Sequence, residues 1–174
     1  MNCPPEFSAG EYGGKISLKQ EIFFWLTAVL FLFIFLGSAP LGHTESTWAE
    51  ISREMLMTGN FWHTAINWQL CGDKNLMNCW LALPFLKISG CTEFAVRLPS
   101  ALAALFCLYG IKVLGKELFN PRIALLAGWM TLGCWCFLFT ARIVSADITG
   151  TAAAVWIAAC FFRLEPRLRM PCIR

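Results

Sequence analysis

Four residues are of types that could do chemistry together: Glu45, Asp73, Lys74 and Asp147. A carboxylate can act as general base on an incoming hydroxyl. It can also help hold a divalent cation that neutralises a phosphate leaving group. A lysine beside it can pair with that phosphate directly. Each residue has a plainer reading as well. Glu45, Asp73 and Lys74 are of a kind any aqueous loop carries. Asp147 opens an apolar run, where an acid caps a helix and complements its dipole. Capping and chemistry are compatible at Asp147, and an acid at the end of a membrane helix is a functional-site hypothesis by default. Whether residues so far apart in sequence can meet depends on the elements between them.

Those elements are apolar. Of 174 residues, 57% are hydrophobic and only 14% charged, against roughly a quarter charged in globular domains. This deficit, together with long apolar runs, implies an all-α integral membrane protein. The net charge of +3 is small, and the basic residues sit at the ends of apolar runs. Such charge sets membrane topology and makes no nucleic-acid surface. Nine cysteines occur without a CxxC. Cys107, Cys134, Cys136 and Cys160 lie in apolar runs as small hydrophobes. Cys71, Cys79 and Cys91 could pair near the outer face, but no spacing demands a disulfide or a zinc site.

Residues 1–21 read as a cytoplasmic tail. Residues 22–39 carry no charge and approach the ~20 residues a span needs. A cleaved signal peptide is the alternative, but its apolar core would be only about 7–15 residues and closer to the start. Residues 40–97 form an outer-face region. Within it, 46–57 reads as an interfacial amphipathic helix. Trp48, Ile51 and Met55 fall on one face and Glu50, Arg53 and Glu54 on the other. Thr47 with Glu50 resembles a capping box, and Gly59-Asn60 is a stop. Residues 76–88 are apolar but few, a length more typical of an interfacial segment than of a span.

Charge sets the remaining topology. If 76–88 does not cross, spans over 98–114, 123–141 and 148–162 place Lys112, Lys116, Arg122 and the arginines of 163–174 on the cytoplasmic side. Lys112 would then snorkel to the inner surface. The expectation is four spans plus two interfacial helices, with both termini cytoplasmic and Glu45, Asp73, Lys74 and Asp147 together on the outer face. Other candidates there have simple explanations. His43 and His63 are loop histidines that could ligate a metal. Trp48, Trp62, Trp68 and Trp80 form an aromatic belt. Arg97 and Arg142 could contact phosphate, although Arg97 reads more simply as an interfacial anchor. The sequence has no Walker motif, GxSxG, HExxH or strand-borne GxGxxG.

Five blocks in order (48–62, WAEISREMLMTGNFW; 72–75, GDKN; 92–105, TEFAVRLPSALAAL; 116–128, KELFNPRIALLAG; 141–147, ARIVSAD) resemble the N-terminal part of the polyprenyl-phosphate-sugar glycosyltransferases. That family includes the protein O-mannosyltransferases and the lipid A aminoarabinose transferases. The resemblance covers about residues 22–162. It implies a partial GT-C membrane bundle, a polyprenyl-phosphate-linked sugar as donor, a hydroxyl or phosphate acceptor, and a bacterial inner-membrane location. Carried over by position, the family's acidic pair falls at Thr44 and Glu45, and its following arginine and tyrosine at Thr47 and Trp48. Its Glu-Lys-Pro motif falls at Asp73-Lys74-Asn75, and its second acid at Asp147. The resemblance therefore implies Glu45 and Asp147 as catalytic acids, Lys74 on the donor phosphate, and Asp73 on a divalent metal. Thr44 and Thr47 depart from the pattern. Family members are much longer, so the chain is expected to be truncated. Membrane lipid and other membrane helices completing the bundle are expected as partners, and a bundle partner without turnover is the competing expectation.

The topology is testable in intact cells. A cysteine at position 116, in a background lacking the native cysteines, should resist a membrane-impermeant maleimide applied from outside. Labelling there would mean that 76–88 crosses the membrane.

Overall fold

The computed structural model describes residues 16–72 and 75–165. Helix α1 is Leu18–Phe33 and α2 is His43–Thr58. A hairpin of β1 (Ala65–Ile66) and β2 (Gln69–Leu70) follows, antiparallel, with Ala65 opposite Leu70. Then come α3 (Leu76–Ser89), α4 (Glu93–Leu118), α5 (Pro121–Gly133), α6 (Trp135–Arg142) and α7 (Ala146–Leu164). Polar side chains set several starts by taking backbone N–H groups that a first turn leaves without partners. Asn75, Thr92, Asn120 and Ser145 accept from Met77, Ala95, Ile123 and Asp147 at 2.9–3.2 Å. Pro121 takes the first helical position of α5, where its missing N–H costs nothing.

The long α4 is the centre of the fold. It packs against α7, α5, α3, α6 and α1. Its buried Ala104, Cys107 and Leu108 meet Phe24, Ala28 and Leu32 of α1 and Ile148 and Ala152 of α7. A second core lies at the N-terminal end of α4, where Ala95 and Val96 pack with Ala82 and Leu86 of α3. By length and composition α4 and α7 can each cross a membrane, and α5 with α6 adds a third segment if the bent pair is one span. The chain is an all-α integral membrane protein.

Several elements differ from the sequence reading. Helix α1 starts before residue 22, at Leu18, because Glu21 faces a cation inside the bundle. It stops at Phe33, well before 39, because Phe35 takes a left-handed φ of 54°. The expected single helix over 123–141 is two helices meeting at 67°. Gly133, a weak helix former, ends α5, and Cys134 is extended. Helix α2 begins at His43 rather than 46, with its cap at Gly42, so the Thr47–Glu50 box is not used. Gly59 does stop it, at φ 67°. Glu54 was expected on the wet face of α2 but is buried beneath the hairpin. Its two carboxylate oxygens each lie 3.4 Å from the N–H of Trp68. Asn67 and Trp68 both have positive φ, as a tight two-residue hairpin turn requires.

Close packing of α4 on α5 depends on Gly115. A Cβ there would lie 2.8 Å from Ala124 Cα and 2.9 Å from its Cβ, and small residues are what let membrane helices approach this closely. Gly115→Ala should therefore destabilise the protein in detergent by about 1–3 kcal/mol, the usual cost of overpacking. Gly150→Ala, where nothing lies within 4 Å, should be neutral or stabilising. Thermal unfolding followed by tryptophan fluorescence checks both, and equal melting of the two variants would refute the close-packing account.

Candidate functional site

Three chain segments meet at the N-terminal end of α4, and one arginine organises them. Arg97 lies in the second turn of that helix, 5% exposed. An arginine cannot lose its charge in a protein and offers five N–H donors in a fixed fork. All five are used. Nε and Nη2 donate to the two oxygens of Glu45 at 2.9 and 2.7 Å. Nη1 donates to the carbonyls of Leu36 and Ala39, and Nη2 to that of Pro40, at 2.8–3.1 Å. The connector from α1 to α2 is wrapped around this guanidinium. Arg142 adds a bond to the carbonyl of Ile34 at 2.6 Å. Both arginines are thus engaged by the backbone that follows α1, and Arg97 has no donor left for phosphate in this arrangement.

Glu45 is equally occupied. It is 7% exposed and accepts from Arg97 twice, from Gly42 N–H at 2.9 Å and from Val144 N–H at 3.0 Å. Burial alone would push its carboxyl up. The hydrogen bonds from Arg97, Gly42 and Val144 and the arginine's charge outweigh that and hold it below the ordinary value of 4.5. The Val144 bond matters for the site. It joins the start of α2 to the loop between α6 and α7, three residues before Asp147.

Asp147 has a different environment. Its side chain is exposed at the first turn of α7. Ser145 Oγ accepts from Asp147 N–H at 3.1 Å and donates to Asp147 Oδ2 at 2.9 Å. Two residues on, Thr149 Oγ1 donates to Asn78 Oδ1 at 3.3 Å, which ties α7 to the first turn of α3. Asp73 and Lys74 lie outside the described residues. The helix that follows them begins beside α7 through this contact. The structure therefore brings the segments bearing Glu45 and Asp147 together, and the start of α3 with them.

The histidines do not join this cluster. His43 opens α2 and its carbonyl accepts from Ser46 and Thr47, while His63 Nδ1 lies 3.5 Å from Asn60 Oδ1. Among the described residues no group of three or more His, Cys, Asp and Glu side chains gathers for a metal. The sequence reading missed Arg97 as an organiser and missed Asn78 and Ser145. Arg97 stands just before the apolar run 98–114, where an interfacial anchor is the local reading, and its burial follows only once α4 begins at Glu93.

Because breaking one member of a buried pair leaves the other charge uncompensated, Glu45→Gln should cost about 3–5 kcal/mol of stability in detergent. The pH dependence carries a sign. A carboxyl held below its unfolded value contributes stability that is complete above about pH 4.5 and lost as pH falls through the depressed value. Wild type should lose stability below that pH more steeply than Glu45→Gln does, as read from melting curves across pH 3–7 (roughly the range where carboxylates titrate). Parallel curves for the two proteins would refute the assignment.

Comparison with known proteins gives the family. The family model described as dolichyl-phosphate-mannose-protein mannosyltransferase matches residues 73–169, from the segment before α3 to beyond the end of α7. An undecaprenyl phosphate-alpha-4-amino-4-deoxy-L-arabinose arabinosyl transferase of Pectobacterium carotovorum subsp. carotovorum (strain PC1) is 30% identical over 153 residues, which is 86% of this chain and 26% of that protein. The chain thus spans about a quarter of the relative's length. No solved structure matches. With its all-helical membrane bundle and a conjunction of loops at one end of α4, the chain belongs to the dolichyl-phosphate-mannose-protein mannosyltransferase family of GT-C membrane glycosyltransferases.

Proposed function

We propose that the chain takes part in sugar transfer from a polyprenyl-phosphate donor to a hydroxyl or phosphate acceptor on the outer face of a bacterial inner membrane. In this reading α1, α4, the α5–α6 pair and α7 cross the bilayer, α2 and α3 lie at the outer interface, and both termini are cytoplasmic. The observation that supports it is the junction of Glu45 with Val144, three residues before Asp147, whose side chain is exposed.

The chemistry follows from the environments of the two acids. Asp147 would take the proton from the acceptor hydroxyl as its oxygen attacks the anomeric carbon. The bond from that carbon to the donor phosphate oxygen breaks, and the phosphate leaves with its charge paired to Lys74. Glu45 was expected as a second catalytic acid. With each of its lone pairs engaged by Arg97, Gly42 and Val144, it supports the site better as a positioning residue. Asp73 would help hold a divalent cation, and no step depends on that ion.

The test is sugar transfer from a radiolabelled polyprenyl-phosphate sugar by the purified protein in detergent. Asp147→Asn should reduce the rate by roughly 10²–10⁴-fold, the usual contribution of a general base, with an unchanged melting temperature. Transfer that survives this substitution would remove Asp147 from the chemistry. No transfer by the folded wild-type chain would leave it as a partner for other membrane helices.

A further inference from the structure

The far end of α4 holds a second cluster that the proposed chemistry does not use. Lys112 and Lys116 lie about 22–28 Å along the helix from Arg97 at 1.5 Å per residue. They therefore cannot serve the same site. Lys112 was expected to snorkel to the surface, but it is 3% exposed. Its ammonium is ion-paired with Glu21 of α1 and sits 5.0 and 5.1 Å from the ring centroids of Phe24 and Trp25. A carboxylate and two aromatic faces hold it inside the bundle.

Above this buried pair is a cavity of about 260 Å³, several times the roughly 30 Å³ one water occupies. It is the cleft between α1 and α7, floored by α4. Trp25 and Tyr109 line it, their ring centroids 6.3 Å apart. Lys116 and Arg163 stand at its mouth, with side chains 48% and 69% exposed. Lys116 is 3.9 Å from Glu21, and Arg163 is 4.0 Å from Glu117. Both are loose ion pairs without a hydrogen bond, so these two exposed cations keep N–H donors for a ligand. Among the described residues the lining carries three cations against two carboxylates, at the end of two helices long enough to span. Basic pockets between membrane helices suit anionic lipid headgroups, and Trp and Tyr suit the adjoining interface.

We propose that this cleft binds the phosphate headgroup of an anionic membrane phospholipid, with Lys116 and Arg163 gripping the phosphate and Trp25 and Tyr109 flanking the stem below it. Arg163 supplies a planar fork for two phosphate oxygens and Lys116 a point charge. Glu21 stays committed to Lys112, so the floor keeps its charge balance when the site fills.

The experiment uses the full chain in detergent, with native mass spectrometry for bound lipid and thermal unfolding as a second readout. Phosphatidylglycerol should be retained about tenfold or more over phosphatidylcholine and should raise the melting temperature. The double variant Lys116→Gln/Arg163→Gln changes two exposed side chains, so it should fold as wild type does and lose that preference. Millimolar inorganic phosphate alone should leave the melting temperature unchanged. Equal retention of the two lipids, or a double variant that still selects phosphatidylglycerol, would overturn the proposal. So would a full stabilisation by inorganic phosphate, which would make the ligand a soluble anion.

Discussion

A guanidinium that cannot lose its charge, placed in the second turn of the central helix, is the constraint on which the rest of this fold depends. Arg97 needs acceptors for every one of its donors, and apolar neighbours supply none. The chain meets the need by ending α1 early and turning residues 36–40 so that three carbonyls face inward. Glu45 completes the set and in turn accepts from Val144. Buried pairs of this kind are weak evidence for extra stability, because desolvation offsets most of the attraction. Their effect here is geometric. The end of α1, the start of α2 and the loop before α7 are held at one point, and any of them that moves takes a hydrogen-bond partner from the buried Arg97–Glu45 pair.

A second buried cation pins the same segment from the other end. Lys112 takes Glu21, so α1 is fixed near its start by one α4 cation and just past its end by the other. Between these points Phe24, Ala28 and Leu32 form the buried stripe. Rotating α1 would turn that stripe outward and separate Glu21 from Lys112 together. Packing and charge pairing therefore specify one register, which lipid-facing apolar residues alone would not do, since Leu or Phe on any side of α1 is equally at home among acyl chains.

This division also shows what a reader of the sequence could and could not see. The apolar runs, the stop at Gly59 and an acid in the first turn of α7 were legible because each is a local matter of hydropathy, backbone conformation or dipole, although the cap itself is Ser145 and not Asp147. The pairings of Arg97 with Glu45 and Lys112 with Glu21 were not, because periodicity does not say which distant residue a charge will find. Lys112 shows the cost of a rule applied locally: near a helix end, snorkelling is the default, and a carboxylate on another helix overrode it. Glu54 was misplaced for a similar reason. On α2 alone its face is wet, but the hairpin of two-residue strands that covers it leaves almost no sequence signature. The bend at Gly133 and Cys134 was visible only as one weak helix former in a long apolar run, which by itself does not distinguish one straight span from a broken one.

The two acids that looked alike in sequence are separated by the same constraint. Glu45 is surrounded by donors and its carboxyl is held ionised; the stability of the pair depends on those donors staying where they are. Among the described residues Asp147 has a single serine hydrogen-bonded to its carboxylate, and its side chain is exposed at a helix start. When two carboxylates have environments this different, they suit different tasks. A group whose lone pairs are filled can orient a loop but has little capacity to accept a further proton. One at an exposed helix start can meet an incoming hydroxyl. The saturated residue gives the open one its position, since the bond from Val144 to Glu45 fixes the loop that delivers Asp147.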